Sequence, residues 1–267
     1  MANGAAYDVA PKVFRELGAN LTVIANKPDG LNINENCGST DIELLKKAVA
    51  KYEADFGLAL DGDGDRLIFI GKDLNEIDGD QILYLLAKEK FQHNIYLGTK
   101  GVVGTTMSNQ GLVDALNDLD IELVRSDVGD RNVFEKLEEL GWELGGEQSG
   151  HIICLDSAIT GDAIISSIKF LDAIDFSFKK FEEKIKGFKK YPQILRNIKT
   201  KNPDKILKNK KFNDLKKKCE NEIKLNGRIN VRKSGTESLV RIMVESNDAL
   251  IAQSISDKLE NLAKNLS

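Results

Sequence analysis

The chain has 267 residues, which is enough for two or three domains with cores of their own. Apolar residues make up 41%, charged residues 30% and proline only 4 positions, so the composition excludes disordered and collagen-like classes. The net charge is −4, and the three cysteines are widely spaced and odd in number, which argues against a disulfide framework. Apolar runs are too short to span a bilayer and the first residues lack a signal-peptide pattern, so we expect no membrane partner and a cytoplasmic location.

The predicted elements alternate between helices and short apolar strands. A helix at 7–17 precedes a strand at 21–24, and the capping-box pattern TDIE at 40–43 opens a helix that runs to about residue 52. Strands at 56–60 and 67–70 then flank an acidic loop. Further helices are predicted at 80–90, 105–116, 132–140, 162–174 and 248–266, and further strands near Ile95, Glu122, Trp142, Ile152, Ile229 and Val240. This order predicts an α/β fold.

One segment near the end of the chain is strongly basic. Residues 179–224 hold 17 Lys and Arg against 6 Asp and Glu. Such a segment could follow a phosphate backbone, but it has few aromatic residues and no known nucleic-acid-binding motif. We therefore interpret it as solvated lysines and expect no nucleic-acid partner. Within it, the Lys-, Asn- and Pro-rich stretch 189–211 is predicted to be a linker or the entry to a domain.

The acidic loop has the sequence DGDGDR at residues 61–66. Asp61, Asp63 and Asp65 alternate with glycines that free the backbone to curl, so the three carboxylates can converge on one Mg²⁺ or Ca²⁺ ion. An EF-hand would need Gly at the sixth position and Glu at the twelfth, where this chain has Arg66 and Lys72. A polar hairpin turn remains the alternative. Three aspartates leave coordination positions open, as Mg²⁺ prefers when it also binds phosphate, so phosphoryl chemistry is the leading interpretation.

A second loop, GGEQSGH at residues 145–151, groups the side chains of Glu147, Ser149 and His151 between two predicted strands. Paired donors and acceptors of this kind suit a polyol such as a sugar. A plain polar turn is the alternative, and a Ser-His-Asp hydrolase is disfavoured because no GxSxG motif is present.

A third loop, RKSGTE at residues 232–237, offers a guanidinium fork, two hydroxyls and backbone N–H groups freed by glycine. This pattern indicates a phosphate site, with a charged hairpin as the alternative. Neither a GxxxxGK[ST] loop nor a GxGxxG dinucleotide motif occurs in the chain.

The three loops occur in an order and spacing that resemble the α-D-phosphohexomutase superfamily, in particular its members that act on hexosamine phosphates. Supporting motifs are NENCGSTD at 34–41, GVVGTTMSN at 101–109 and VGDR at 128–131. The resemblance runs from end to end of the chain and implies three of the four family domains. These are a second domain at 1–76 with a truncated first strand, a third domain at 77–188, and a fourth domain at 189–267. The first two are implied to be tandem α/β sandwiches and the last a small α+β domain.

The family moves a phosphoryl group between the 1- and 6-positions of a hexose through a bisphosphorylated sugar, with an active-site phosphoserine and Mg²⁺. The resemblance therefore implies Mg²⁺ as cofactor and a hexosamine phosphate as substrate. Residues matching the family's sites are Asp61, Asp63 and Asp65 for the metal, Glu147, Ser149 and His151 for the sugar, and Arg232, Ser234, Gly235 and Thr236 for the phosphate.

Two departures from the family pattern stand out. Ser238 occupies a position where the family usually has proline, and the Thr-Ala-Ser-His-Asn-Pro type motif that carries the phosphoserine does not occur. We therefore assign no catalytic nucleophile, and expect a fragment that is inactive unless a separate chain supplies the phosphoserine domain. A non-catalytic phosphosugar-binding module and a phosphomannomutase or phosphoglucomutase fragment are the open alternatives.

Overall fold

The structure is a computed structural model that describes residues 1–92, 100–224, 226–234 and 237–267. The chain divides into two compact units. The first unit comprises residues 1–108 and 112–188, and the second comprises residues 109–111 and 189–267.

The first unit alternates helices with short strands. Its helices are α1 (Val9–Glu16), α2 (Glu43–Tyr52), α3 (Gly79–Gln92), α4 (Gln110–Asn117, whose first residues group with the second unit), α5 (Asp130–Leu140), α6 (Ala163–Ala173) and α7 (Phe178–Lys184). Its strands are β1 (Phe56–Leu60), β2 (Leu67–Gly71), β3 (Glu76–Ile77), β4 (Gly101–Thr105), β5 (Glu122–Ser126), β6 (Leu144–Gly146) and β7 (Ile152–Cys154).

These strands form two sheets. In the order β1-β2-β3, all neighbours are antiparallel. In the order β5-β4-β6-β7, β4 runs parallel to both of its neighbours and β7 runs antiparallel to β6. Every residue of β4 is buried, as expected for a parallel strand covered on both faces.

An aromatic cluster ties the first sheet to the helices that follow the second. The ring of Phe69, on β2, lies 4.5 Å from that of Phe170, on α6, between centroids. Phe56, on β1, contacts Phe69, Phe170, Phe178 and Phe181 with its ring edge-on. Packing of this kind adds to the burial energy of large rings. The two halves of the first unit therefore share one core. This core supports the loops at the strand ends of both sheets.

The second unit is a three-stranded antiparallel sheet covered by helices. Its strands are β8 (Gln193–Lys199), β9 (Gly227–Lys233) and β10 (Leu239–Ser246), and the helices around them are α8 (Pro203–Leu207), α9 (Lys210–Ile223) and α10 (Ala249–Leu266). The sheet order is β8-β10-β9, which leaves β10 in the centre. Apolar residues of β10 pack with those of α9 and α10 in a separate core.

Several predicted elements are confirmed within a few residues. The strands at 56–60 and 67–70 are β1 and β2. The helices predicted at 162–174 and 248–266 begin one residue later, because Asp162 and Asp248 are N-caps whose side chains accept backbone hydrogen bonds from the first turn. The strand predicted near Ile95 lies outside the described residues.

Two predictions were wrong, and a third was right only in part. Residues 21–24, all described, form no strand. They lie beside irregular chain near Met1, whose amine donates to the Ile24 carbonyl, and not beside a strand with which they could pair. The helix α2 begins at Glu43 without a side-chain cap, so the capping box does not form. The stretch 189–211 is the entry to the second unit, which takes in the chain from Lys189 onward, but it is not a linker, because it contains β8, which pairs with β10 along its whole length.

The basic segment contributes much of α9. Phe212, Cys219 and Ile223 are buried on one side of this helix, while Lys211, Lys217 and Lys218 are exposed. The lysines thus lie on a solvated helix face.

The fold is an α/β arrangement followed by a small α+β unit. Among the residues that the structure describes, no helix is long and apolar enough to cross a bilayer.

Candidate active site

The acidic loop is the turn of an antiparallel hairpin. Leu60 at the end of β1 pairs with Leu67 at the start of β2, so residues 61–66 connect the two strands. Inside the turn, Oδ1 of Asp61 accepts hydrogen bonds from the backbone N–H groups of Asp65 (3.2 Å) and Arg66 (3.0 Å). These bonds curl the loop onto its first residue. As a result, the ligand oxygens of Asp61, Asp63 and Asp65 all lie within 4.8 Å of one another.

Backbone contacts at both glycines hold the loop in place. The N–H of Ala5 donates to the carbonyl of Gly62 at 2.7 Å, and a Cβ added to Gly4 would lie only 2.1 Å from that carbonyl oxygen. On the other side, the N–H of Ala163 donates to the carbonyl of Gly64 at 3.0 Å. The loop is therefore clamped between the start of the chain and the start of α6.

The electrostatics of the three aspartates favour a bound cation. Burial and the neighbouring Asp65 carboxyl raise the pKa of Asp61 above its ordinary value, although the backbone N–H of Arg66 opposes the shift. Oδ1 of Asp65 is buried and has no hydrogen-bond partner among the described residues. Such an atom is costly unless something satisfies it. An all-oxygen donor set with an unsatisfied buried oxygen fits a hard divalent metal ion.

The loop at 146–151 connects β6 to β7 as a tight turn. The N–H of Glu147 donates to the carbonyl of His151 at 2.9 Å, and the N–H of Gly150 donates to the carbonyl of Glu147 at 3.0 Å. One carboxylate oxygen of Glu147 accepts from the N–H of Gly129 at 2.9 Å, and the exposed Ser149 hydroxyl lies 3.5 Å from the other. Glu147 and Ser149 thus form a partly accessible acceptor and donor pair, which suits a hydroxylated ligand.

His151 differs from the other two predicted sugar-binding residues because it is buried. Its Nδ1 lies 3.1 Å from Oδ2 of Asp65, so the structure brings the second loop directly against the acidic loop. Backbone contacts continue the junction: Arg66 forms an isolated antiparallel bridge with His151, and the N–H of Leu67 donates to the carbonyl of Gly150 at 3.1 Å. The two loops therefore form one structural assembly.

The third loop is the turn between β9 and β10 in the second unit. Ser234 is buried; its N–H donates to the carbonyl of Leu239 at 3.0 Å, and its hydroxyl accepts from the N–H of Glu237 at 3.3 Å. Arg232 is half-buried on β9 and faces Arg241 on β10 as its direct cross-strand partner. The predicted residues Gly235 and Thr236 lie outside the described residues. The described part of the loop is a hairpin whose base carries two guanidinium groups.

Sequence reasoning missed several residues that support these loops. The N–H of Gly79 donates to the backbone carbonyl of Gln148 at 3.1 Å, and a Cβ on Gly79 would lie 2.0 Å from the carbonyl oxygen of Glu147. Gly129, whose N–H donates to the Glu147 carboxylate, belongs to the VGDR motif, so the sequence does hold a signal for it. Gly79 and Arg241 belong to no motif that points to the site.

The serines in or beside these loops have different environments. Ser108 is fully buried, and its hydroxyl accepts from the N–H of Thr105 at 3.0 Å. Ser234 is also buried, as described above, whereas Ser149 is exposed. The hydroxyls of Ser108 and Ser234 thus accept backbone hydrogen bonds, whereas the hydroxyl of Ser149 lies beside the Glu147 carboxylate.

Three family models match the chain in series. They are described as "Phosphoglucomutase/phosphomannomutase, alpha/beta/alpha domain II" for residues 1–75, the corresponding "alpha/beta/alpha domain III" for residues 78–191, and the "C-terminal domain" for residues 195–262. Each of the three loops falls within a different one of these matches.

Curated relatives named phosphoglucosamine mutase are similar to this chain over nearly all of its length. The chain is 47% identical to phosphoglucosamine mutase 2 of Shewanella frigidimarina over 265 residues, and this alignment covers 98% of this chain and 58% of that protein. It is also 47% identical over 264 residues to phosphoglucosamine mutase of Actinobacillus succinogenes, which covers 99% of this chain and 59% of that protein. The chain therefore spans less than two thirds of the length of these relatives.

Solved structures share the fold at lower sequence identity. A phosphoglucomutase/phosphomannomutase family protein from Burkholderia thailandensis superimposes with a TM-score of 0.82 at 23% identity, over 98% of this chain and 59% of that one. The N-acetylphosphoglucosamine mutase of Aspergillus fumigatus, solved in complex with GlcNAc-6P and magnesium, gives a TM-score of 0.78 at 17% identity, over 99% of this chain and 60% of that one. With its three domain matches, its relatives and its fold in agreement, the chain belongs to the phosphoglucomutase/phosphomannomutase family, the α-D-phosphohexomutases, and carries domains II, III and IV of that family.

Proposed function

We propose that the chain is the metal- and substrate-binding part of a phosphoglucosamine mutase, which interconverts glucosamine 6-phosphate and glucosamine 1-phosphate through a bisphosphorylated sugar. The observation that carries this proposal is the junction of two loops: three aspartate carboxylates converge within 4.8 Å, and one of them contacts the loop that holds Glu147 and Ser149. A divalent cation beside a polyol site is the arrangement that phosphoryl transfer to a sugar needs.

Asp61, Asp63 and Asp65 would hold the metal ion, and Mg²⁺ is the ion we propose. When bound, Mg²⁺ neutralises charge on phosphoryl oxygens and fixes their orientation during transfer. The chain's own contribution is geometry. The backbone N–H groups of Asp65 and Arg66 hold Asp61, and the clamped glycines keep the loop from opening when the like charges repel.

Glu147 and Ser149 would bind sugar hydroxyls. The N–H of Gly129 fixes the Glu147 carboxylate, which leaves that group preorganised for a hydroxyl donor. A mutase of this type must accept its sugar in two opposite orientations, so we propose that these residues bind hydroxyls common to both. We propose that His151 belongs to the same sugar site, at its junction with the acidic loop, where its Nδ1 lies 3.1 Å from Oδ2 of Asp65.

Arg232 and Ser234, together with Gly235 and Thr236, would hold the phosphate that does not react. Arg232 has no carboxylate within ion-pair distance among the described residues, and its cross-strand partner is a second arginine. Two guanidinium groups at the base of one hairpin favour a dianion, since Arg binds phosphate through parallel N–H···O bonds.

The phosphoryl group itself would come from a phosphoserine outside these 267 residues, on another domain or on a separate chain. No motif of the phosphoserine type occurs in the sequence. The substrate is a charged sugar phosphate that does not cross membranes unaided, so we assign the reaction to the cytoplasm. Glucosamine rather than glucose or mannose phosphate is proposed on the names of the relatives, which are phosphoglucosamine mutases.

The test is a reconstitution assay. The purified chain is mixed with the phosphorylated serine-bearing domain of a related mutase, and conversion of glucosamine 6-phosphate is followed by ³¹P NMR with Mg²⁺ and a hexosamine bisphosphate primer. We expect turnover only in the mixture, with glucose 6-phosphate and mannose 6-phosphate reacting more slowly. An inactive mixture of folded components that cannot bind glucosamine 6-phosphate would contradict the proposal. Tight binding without turnover would favour a phosphosugar-binding module instead.

A further inference from the structure

Three lysines of the basic segment line one cavity in the second unit. Lys199 is the last residue of β8, Lys201 follows it by two positions, and Lys205 lies on α8. The cavity has a volume of about 600 Å³, which falls within the range of small-molecule sites, roughly 300–1,000 Å³. Such sites are mostly apolar, whereas three ammonium groups favour a ligand with negative charge. The cavity is therefore a candidate anion site.

The three lysines are not engaged in ion pairs. Three carboxylates on α8 and α9 each pair with a different lysine, in the pairs Asp204–Lys208, Glu220–Lys216 and Glu222–Lys258. Lys199, Lys201 and Lys205 have no ion pair among the described residues. Ser267 also lines the cavity, and even with its terminal carboxylate the lining keeps an excess of positive charge.

The wall of the cavity is held by the sheet. Lys199 faces Leu239 across the pairing of β8 with β10, and the N–H of Thr200 donates to the carbonyl of Ser238 at 3.1 Å. The Thr200 side chain is only 8% exposed, and its hydroxyl oxygen accepts from the N–H of Asn202 at 3.2 Å. The hydroxyl therefore keeps its O–H group as a donor. A fixed donor beside several cations suits the oxygens of a phosphate.

The cavity and the phosphate hairpin lie on opposite sides of β10. In the sheet order β8-β10-β9, β10 separates Lys199 on β8 from Arg232 on β9. Both lie toward the end of the sheet where β10 begins, because Lys199 pairs with Leu239 and Arg232 pairs with Arg241. The lysine cavity is thus a neighbour of the hairpin and has cations of its own.

We propose that this cavity binds a small molecule that carries two or more linked phosphates, at a site separate from that of the sugar phosphate. Three ammonium groups match the charge of a diphosphate better than that of a single phosphate. A nucleic-acid backbone is disfavoured, because the described lining residues include no aromatic side chain on which a base could stack. The inference does not depend on the mutase activity proposed above.

The probe is inorganic pyrophosphate, titrated by calorimetry without divalent cations. Because the hairpin can also bind phosphate, the titrations use the Arg232→Ala chain. Two triple variants are made in that chain and remove the same number of charges. The cavity variant is Lys199→Gln with Lys201→Gln and Lys205→Gln, and the control is Lys211→Gln with Lys217→Gln and Lys218→Gln on α9. All six lysines are exposed, so both variants should keep the thermal stability of their parent.

We expect the cavity variant to bind pyrophosphate at least about tenfold more weakly, the factor that one charge-assisted hydrogen bond contributes. The control should bind it as tightly as the Arg232→Ala parent does. The proposal is overturned if the parent binds no pyrophosphate. It is also overturned if both triple variants lose affinity equally, since that would be a general effect of net charge.

Two further titrations test the kind of ligand. With Arg232 intact, the three cavity substitutions should leave glucosamine 6-phosphate binding unchanged. A loss as large as that for pyrophosphate would make the lysines part of the sugar phosphate site and overturn a separate site. A single-stranded oligonucleotide that binds the Arg232→Ala chain more tightly than pyrophosphate, and loses that affinity in the cavity variant, would assign the lysines to a nucleic-acid backbone instead.

Discussion

Arg232 and Arg241 lie directly opposite each other on the antiparallel strands β9 and β10. Like charges at such a pair destabilise a sheet by roughly 0.2–1 kcal/mol unless a counter-charge intervenes. Glu237 supplies part of this counter-charge, with a carboxylate oxygen 3.3 Å from Nη2 of Arg241, but that carboxylate is largely exposed. Nε of Arg241 is buried without a partner among the described residues. The hairpin base is therefore arranged to gain from a bound anion.

The first prediction concerns Arg232. We expect Arg232→Ala to lose more affinity for glucosamine 6-phosphate than Arg232→Lys, and Arg232→Lys to lose some, because a point charge does not reproduce the two parallel bonds of a guanidinium fork. Isothermal titration with glucosamine 6-phosphate measures this loss. The control is Arg15→Ala on the exposed side of α1, which should bind normally. Equal binding of glucosamine and its 6-phosphate by the wild-type chain would reduce the loop to a charged hairpin.

The second prediction concerns the metal ligands. Asp63 is the exposed member of the triplet, so Asp63→Asn should leave the thermal stability unchanged or slightly higher, since it removes repulsion among three carboxylates. Loss of a residue that only supports a metal ligand typically weakens metal binding by about 10- to 100-fold. Because Asp63 is itself a proposed ligand, Mg²⁺ affinity should fall by at least about tenfold in Asp63→Asn. Titration calorimetry would show this, with Asp73→Asn in the turn after β2 as control. Unaltered affinity in the Asp61, Asp63 and Asp65 variants alike would remove the metal site.

The third prediction separates backbone conformation from close approach. Gly150 and Gly141 both have positive φ, of 95° and 68°, but a Cβ on Gly150 would lie 2.0 Å from the carbonyl oxygen of Leu67, whereas nothing lies within 4 Å of one on Gly141. Gly141→Ala should cost about 1–2 kcal/mol, the penalty of the left-handed conformation alone. Gly150→Ala should cost clearly more and should also weaken Mg²⁺ binding, because it forces the two loops apart. Chemical denaturation gives the free energy of unfolding of both variants. Equal losses would mean that the contact between the acidic loop and the loop after β6 adjusts to the added methyl group.

The acidic hairpin could be predicted from sequence because every signal for it is local. Apolar runs of strand length flank alternating aspartates and glycines, so the strands, the turn and the convergence of the carboxylates follow from neighbouring residues. The contact of Asp65 with His151 joins positions that are 86 residues apart. No local pattern reports such a contact, and only the shared aromatic core of the first unit explains why the two loops meet.

The strand errors have a related cause. Residues 21–24 have the composition of a strand, but a strand needs a neighbour, and theirs is irregular chain near Met1. Conversely, β8 lies in a Lys- and Asn-rich stretch, and Ile198 is its only buried side chain among seven residues, so its hydrophobic signal is weak. It is a strand because β10 pairs with it from Gln193 to Lys199. In both cases pairing outweighed local propensity.

The last prediction is a pH dependence of stability from Asp156. Burial alone would raise the pKa of this carboxyl, but hydrogen bonds from Lys169, Lys90 and Ser157 more than offset it and hold the pKa at about 2. Both lysine nitrogens lie 3.0 Å from a carboxylate oxygen of Asp156. Lys90 is near the end of α3 and Lys169 is within α6, so these pairs join both helices to Asp156, two residues after β7.

Because the folded-state pKa of Asp156 lies below the unfolded value of about 3.9, its contribution is present above pH ~4 and is lost as the pH falls from about 4 toward 2. The side chain is one third exposed, so we discount the full linkage energy to about 1 kcal/mol. Asp156→Asn should therefore lower the free energy of unfolding by about that amount at pH 7, and the difference from wild type should shrink steadily as the pH falls from about 4 through 2. Urea denaturation across this range measures it, with Asp172→Asn on the exposed face of α6 as control. A deficit that stays constant down to pH 2 would mean that asparagine disturbs packing, and that the two lysines do not act on an ionised Asp156.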